Sequence, residues 1–163
     1  MNRNRLTHFS RLPDAPAPVQ TTVRRTTVFS DVDPMGYVWF GRYPLLIEGA
    51  VEALNKQIGL TYAELAEDGV INPVAELQIN YLSPIHLGTE TETTACLVWT
   101  ESTKLQYEVV IRSAGKVHAV AWATNLFVDS ATGELFLYDP PCFSSCREKW
   151  KSGAFRCLQQ PNG

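Results

Sequence analysis

The stretch Phe29-Ser30-Asp31-Val32-Asp33-Pro34-Met35-Gly36-Tyr37-Val38-Trp39-Phe40-Gly41-Arg42-Tyr43 holds the residues best suited to chemistry in this 163-residue chain. It places two carboxylates, Asp31 and Asp33, in a turn that leads into a helix. Gly36 admits a backbone conformation that a side chain would block. The first N–H groups of the helix lack intrahelical acceptors and lie at the positive end of its dipole. A carboxylate facing such an N-terminus across a small gap can carry out acyl transfer. The amide polarises a carbonyl and holds developing oxyanion charge, while the carboxylate attacks the carbon or activates water. Asp-x-Asp-Pro ahead of a helix is also ordinary turn and capping chemistry, and the spacing alone leaves both readings open.

The elements around this segment are set by periodicity. Thr21 to Ser30 is rich in Thr and Val and predicts a strand. Arg42 to Ile58 predicts a long helix: Tyr43, Leu46, Ile47, Ala50, Val51, Leu54 and Ile58 recur at steps of three and four. Pro44 suits its first turn and Gly59 its stop. Thr61-Tyr62-Ala63-Glu64 has the spacing of a capping box and predicts a short second helix ending at Gly69. Four alternating runs follow, around Glu76–Tyr81, Thr94–Trp99, Leu105–Arg112 and Ala119–Leu126, with short turns between them. Ala119, Ala121 and Ala123 share one face, small enough for a helix or a second subunit to lie close. Strand, long helix, then four strands joined by tight turns predict an α+β fold with an antiparallel sheet.

Composition narrows the class. A chain of this length suits one domain that buries roughly 70% of its unfolded surface, so it needs no disulfide or metal staple. With 45% hydrophobic and 19% charged residues it is not a disordered chain. Fourteen basic and seventeen acidic residues give 14 − 17 = −3, which argues against a general nucleic-acid binder. No apolar run approaches the roughly 20 residues that span a bilayer. Met1 to Leu12 carries Arg3, Arg5 and Arg11 without an apolar core, so no export signal is read there and a reduced, cytoplasmic setting is expected. Residues 1–20, rich in proline, are expected to be a loose, flexible arm. Residues 21–138 form the domain. Residues 139–163 read as an irregular tail, bounded by Pro140-Pro141 and Pro161-Asn162-Gly163.

The pattern Phe-x-Asp-x-Asp-Pro-x-Gly-x-Val-Trp-Phe-x-x-Tyr resembles the signature of the 4-hydroxybenzoyl-CoA thioesterase family of hotdog-fold proteins. The stretch Ile79-Asn80-Tyr81-Leu82-Ser83-Pro84-Ile85-His86-Leu87-Gly88 resembles the family's second landmark, Tyr-x-x-Pro-x-x-x-Gly. The resemblance spans about residues 21–130. It implies a long central helix wrapped by a five- to six-stranded antiparallel sheet, and homodimers or homotetramers with sites where subunits meet. It implies hydrolysis of an acyl-CoA without a metal or redox cofactor, coenzyme A arriving as part of the substrate. Asp33 would be the catalytic carboxylate, as nucleophile or as general base. The backbone N–H of Phe40 would polarise the thioester carbonyl, and Gly36 would shape the turn. Asp31 is expected to be structural. Phe40 stands where many relatives carry His, which suits the branch acting on aromatic acyl groups. Tyr37, Trp39, Phe40 and Tyr43 would line an aromatic pocket or pack the core. Arg42, often Asn in relatives, would contact a CoA phosphate or pair with Asp31. A carrier-protein thioesterase and a non-catalytic acyl-CoA-binding module are the rival readings.

The remaining candidates are weaker. Glu48, on the long helix, is the reserve carboxylate, since some hotdog thioesterases place theirs there; Glu52 lies on the same helix. His86 and His118 match no nucleophile motif and read as structural. Cys142, Cys146 and Cys157 lack the paired spacing of a zinc site. Lys104, Arg112 and Lys116 flank a hairpin and would steer phosphates or form a solvated face.

Overall fold

The computed structural model describes residues 6–159. Arg3, Arg5 and Pro161-Asn162-Gly163 of the expected arm and tail lie outside the described residues. In chain order the elements are β1 (Val19–Thr26), α1 (Tyr43–Ile58), α2 (Tyr62–Glu67), β2 (Val70–Ile71), β3 (Val74–Tyr81), β4 (Glu90–Val98), β5 (Lys104–Ser113), β6 (Lys116–Leu126), β7 (Val128–Asp129) and α3 (Pro141–Lys151). Five strands form one antiparallel sheet in the order β1-β4-β5-β6-β3, and β2 pairs with β7 separately.

Register explains the core. Thr21, Ala95, Val109, Ala121 and Ile79 form one row across the sheet, and Val19, Leu97, Tyr107 and Ala123 the next, which ends on exposed Leu77 at the β3 edge. The alanine face expected on β6 is buried in this layer. Helix α1 packs on β1 and β4 through Leu46, Ile47, Ala50, Leu54 and Ile58, the stripe read from the sequence. Tyr107 donates its hydroxyl to Asn55 Oδ1 at 2.6 Å, tying sheet to helix within the core. Burial raises the Tyr107 phenol pKa above its ordinary value. No helix among the described residues is long and apolar enough to cross a membrane.

Three expectations are corrected. The first strand runs Val19–Thr26 rather than Thr21–Ser30, because the Asp31 carboxylate accepts from Val28 N–H at 2.9 Å and folds Phe29–Asp31 into a 3-10 turn. The arm is not loose over its described part. His8 and Phe9 donate backbone N–H to Glu108 Oε1 at 2.7 and 2.8 Å, and Arg11 pairs with Glu108 at 2.6 Å. His8 also stacks on Trp122, the ring centroids 4.3 Å apart. A carboxylate on the middle strand cannot stay buried unpaired, and the arm supplies its partners.

The tail is not irregular either. Pro140 and Pro141 open α3, where a missing N–H costs nothing, instead of ending the fold. Its buried face is Phe143, Cys146, Arg147 and Trp150. Arg147 interrupts the apolar stripe and so hides the period. Its guanidinium lies over Trp99 and Phe143 and reaches Asp139 at 2.8 Å, off the direction of its Nε–H.

Candidate active site

The 28–43 segment is built around two carboxylates with different partners. Asp31 is buried, and Nη2 of Arg25 lies 2.8 Å from both its oxygens. Its backbone carbonyl accepts from Trp39 N–H at 2.9 Å, which closes the segment into a loop. Asp31 therefore holds structure, as expected, and its partner is Arg25 rather than Arg42. Arg42 forms no ion pair among the described residues.

Asp33 sits at the turn of that loop, half-buried. Its N–H donates to Tyr37 O at 2.8 Å and its C=O accepts from Gly36 N–H at 2.9 Å. Gly36, at φ +80°, makes this tight reversal without the strain a Cβ would add. Oδ1 of Asp33 accepts from Met35 N–H at 2.9 Å and Tyr37 N–H at 3.2 Å. Turn chemistry thus takes one carboxylate oxygen, and Oδ2 makes no hydrogen bond among the described residues. The turn reading and the reactive reading are compatible in one residue.

A 3-10 turn over Phe40–Arg42 leads into α1. The N–H of Phe40 stands at its start and finds no acceptor among the described residues. The Phe40 carbonyl accepts from Tyr81 Oη at 3.2 Å, which anchors the helix start to the end of β3. At Gly41 a Cβ would fall within the Trp39 indole as it is placed, so a larger residue there would displace that exposed ring.

The two landmark segments meet in space. Val38 N–H donates to Ile85 O at 2.8 Å, and Leu87 N–H to Gly36 O at 3.0 Å. Tyr37 bridges to His86 and their rings lie 4.7 Å apart. Buried Thr27 holds the other side of the second segment, giving its Oγ1–H to His86 O at 2.7 Å and accepting from Thr89 N–H at 3.0 Å.

The aromatic residues divide. Trp39 and Phe40 are exposed and adjacent, 4.8 Å between centroids. Tyr43 lies in the core, edge-on to Tyr81 at 4.9 Å, and burial pushes its phenol pKa up. Glu48 is on the exposed flank of α1, where it lines a cleft of about 50 Å³ with Glu52, Tyr62, Asn72 and Asn125. Lys104 begins β5, while Arg112 and Lys116 stand at its far end, about 26 Å away at ~3.3 Å per residue, so the three do not form one patch. Cys142 and Cys146 lie on α3, and Cys157 is exposed beyond it. Nothing in the sequence marks Arg25, Thr27 or Glu108. Each looks like an ordinary strand polar residue until its partner, distant in the chain or beyond a turn, is in place.

A long helix laid on an antiparallel sheet, with both landmark segments at the mouth of the helix, is the hotdog fold of thioester hydrolases. The chain belongs to the thioesterase-like superfamily, whose model matches residues 27–149. The Bacillus subtilis (strain 168) protein named “Putative acyl-CoA thioesterase YneP” is 29% identical over 106 residues, covering 62% of this chain and 74% of that protein. Among solved structures, the DHNA-CoA thioesterase of Staphylococcus aureus superposes with a TM-score of 0.70 at 18% identity, over 86% of this chain and 95% of that one. Slr0204 of Synechocystis, a 1,4-dihydroxy-2-naphthoyl-CoA thioesterase, gives 0.69 at 16% identity, over 87% and 99%. SAV2348 of Staphylococcus aureus, solved in complex with CoA, gives 0.72 at 15% identity, over 91% and 90%. At these identities the structures establish the shared fold.

Proposed function

We propose that this protein hydrolyses the thioester of an acyl-CoA, with an aromatic acyl group as the preferred class, by a carboxylate-assisted mechanism of the 4-hydroxybenzoyl-CoA thioesterase type. The balance is acyl-S-CoA plus water giving a carboxylic acid and free CoA thiol. The observation that carries the reading is Asp33: one oxygen is fixed by two backbone amides and the other is unengaged, in a loop that runs into an unpartnered N–H at Phe40. Oδ2 acts on the thioester carbon, directly or through a water. The Phe40 N–H stabilises the charge that develops on the carbonyl oxygen. Gly36 sets the loop. Trp39 and Phe40 offer exposed flat apolar surface to an aromatic acyl group, and Tyr37 and Tyr43 complete the aromatic lining in this reading. Arg42, unpaired among the described residues, is the cation for a CoA phosphate. No metal or redox cofactor enters this scheme.

The working unit in this reading is a homodimer or homotetramer in the cytoplasm. What supports assembly is β3: it is a sheet edge of eight residues, Val74, Leu77 and Tyr81 on it are exposed, and its Tyr81 end adjoins the Phe40 turn. The four unpaired cysteines suit a reducing setting.

The test is release of free thiol from a panel of aliphatic and aromatic acyl-CoAs, with the same acyl group on carrier protein alongside. Faster turnover of aromatic acyl-CoAs is expected. Tight binding of acyl-CoA without turnover would replace catalysis with a ligand-sensing role.

A further inference from the structure

We propose that His118 is a positioning residue for hydrolysis, acting through the Ser83–Pro84 turn on the loop that carries Asp33. The proposal rests on the reading of that loop as the reaction centre.

His118 lies near the start of β6 and is buried. Its Nδ1 is 2.8 Å from Pro84 O, 3.0 Å from Ser83 Oγ and 3.3 Å from Ser83 O. Carbonyl oxygens only accept, so Nδ1 carries its hydrogen and donates. The His118 carbonyl accepts from Leu82 N–H at 2.8 Å and Ser83 N–H at 3.1 Å. Ser83 Oγ–H donates to Val117 O at 3.3 Å. One residue of β6 thus holds the turn by ring and backbone together.

The ring contact matters because Pro84 has no N–H. Its carbonyl is the one backbone hydrogen-bonding group it has, and among the described residues only His118 donates to it. The very next residue, Ile85, is fully buried and takes the Val38 N–H. Two residues on, Leu87 donates to Gly36. These contacts fall at Gly36, within the reversal that aims Asp33, and at Val38 just after it. A turn released from β6 moves the frame of the carboxylate relative to the helix start. Misplacement on the order of 1 Å costs about 100-fold in rate.

The experiment measures kcat and KM on the best acyl-CoA of the panel for His118→Leu, which removes the donor, and His118→Asn, whose side-chain amide nitrogen stands near the place of Nδ1. Leu is expected to lower kcat about tenfold or more with KM changed less than about threefold, and Asn to restore kcat to within about threefold of the parent. Parent-like kcat in His118→Leu overturns the proposal. Equal loss in both variants also overturns it, because ring volume rather than the donated hydrogen bond would then be what counts. If His118→Leu does not fold, His118→Gln takes its place, with its amide one bond too far out: a low kcat beside an active His118→Asn supports the proposal, and a parent-like kcat overturns it. Asp33→Asn is the control. A dead Asp33→Asn beside a fully active His118→Leu removes this proposal alone, whereas a fully active Asp33→Asn removes the reading of the loop and this proposal with it.

Discussion

A single nitrogen of Arg25, Nη2, closes on both oxygens of the Asp31 carboxylate at 2.8 Å each. The contact separates the two aspartates of the loop. Asp31 is neutralised and buried against β1, and Asp33, two residues on, keeps an oxygen free. The first carboxylate builds the loop that the second needs.

Arg25→Ala is expected to destabilise the fold. Breaking a fully buried pair costs about 3–5 kcal/mol. Arg25 keeps 41% of its side chain in solvent, and Asp31 retains the Val28 N–H, so ~1–2 kcal/mol is expected. Urea unfolding measures it. An unchanged midpoint would show that the pair contributes nothing.

Asp33→Asn should separate activity from stability. The amide keeps an oxygen for the Met35 and Tyr37 N–H groups, so the loop stands and stability stays within about 0.5 kcal/mol. The negative oxygen is lost, and thiol release should fall by about 10²–10⁴. A variant as fast as the parent would end the assignment of Asp33. In the parent, a single turnover in ¹⁸O-water tests direct attack: label held in Asp33 marks an acyl–Asp33 anhydride that water opens at the Asp33 carboxyl carbon.

The cysteines should be silent save one. Burial pushes the Cys96 thiol up to about 11 and those of Cys142 and Cys146 up to about 12, with the Asp68 carboxylate beside Cys142 adding to the effect there. At pH 7.5 these remain protonated and unreactive. Cys157 is exposed. One thiol per chain is expected to react quickly with a disulfide reagent and three more after denaturation. Fast reaction of Cys142 or Cys146 would show that α3 opens. The Cys157→Ser protein should give a flat baseline for assays that read released CoA.

The capping box of α2 should leave a pH signature. Glu64 Oε2 accepts from Thr61 Oγ1 at 2.7 Å and Thr61 N–H at 2.8 Å, and these hold its carboxyl below the usual range, the hydroxyl contact being the larger cause. A lowered folded value means that ionisation favours the folded state. That stabilisation is present above the ordinary glutamate pKa of about 4.3 and is lost as pH falls through the folded value. Thr61→Ala is expected to cost about 1 kcal/mol at pH 7. The gap between parent and variant should narrow as pH drops below about 4. A gap constant from pH 7 to pH 3 would rule out Glu64 as its source.

Much of this was legible along the chain. Local rules fixed α1, with Pro44 in its first turn and Gly59 closing it, because a helix satisfies its own backbone and shows its buried stripe in its period. The Thr61–Glu64 box and the alternation of β3 to β6 were readable for the same reason: donor and acceptor, or inside and outside, lie a few residues apart. The paired aspartates and Gly36 marked the loop. The tail helix escaped because a buried arginine broke its apolar stripe, and the arm looked free because its anchor, Glu108, lies about 100 residues away.

What folding alone decided is partnership at a distance. No spacing reveals that Asp31 takes Arg25 rather than Arg42, or that Pro84 is held by His118 across a turn. Nor does it reveal that the second landmark frames the first through Val38–Ile85 and Gly36–Leu87. Hydrophobic period depends on neighbours in sequence, and sequence therefore wrote the elements. The pairing of charges and hydrogen bonds depends on which surfaces the sheet register brings within 3 Å, and that register exists only once the strands have closed around the helix.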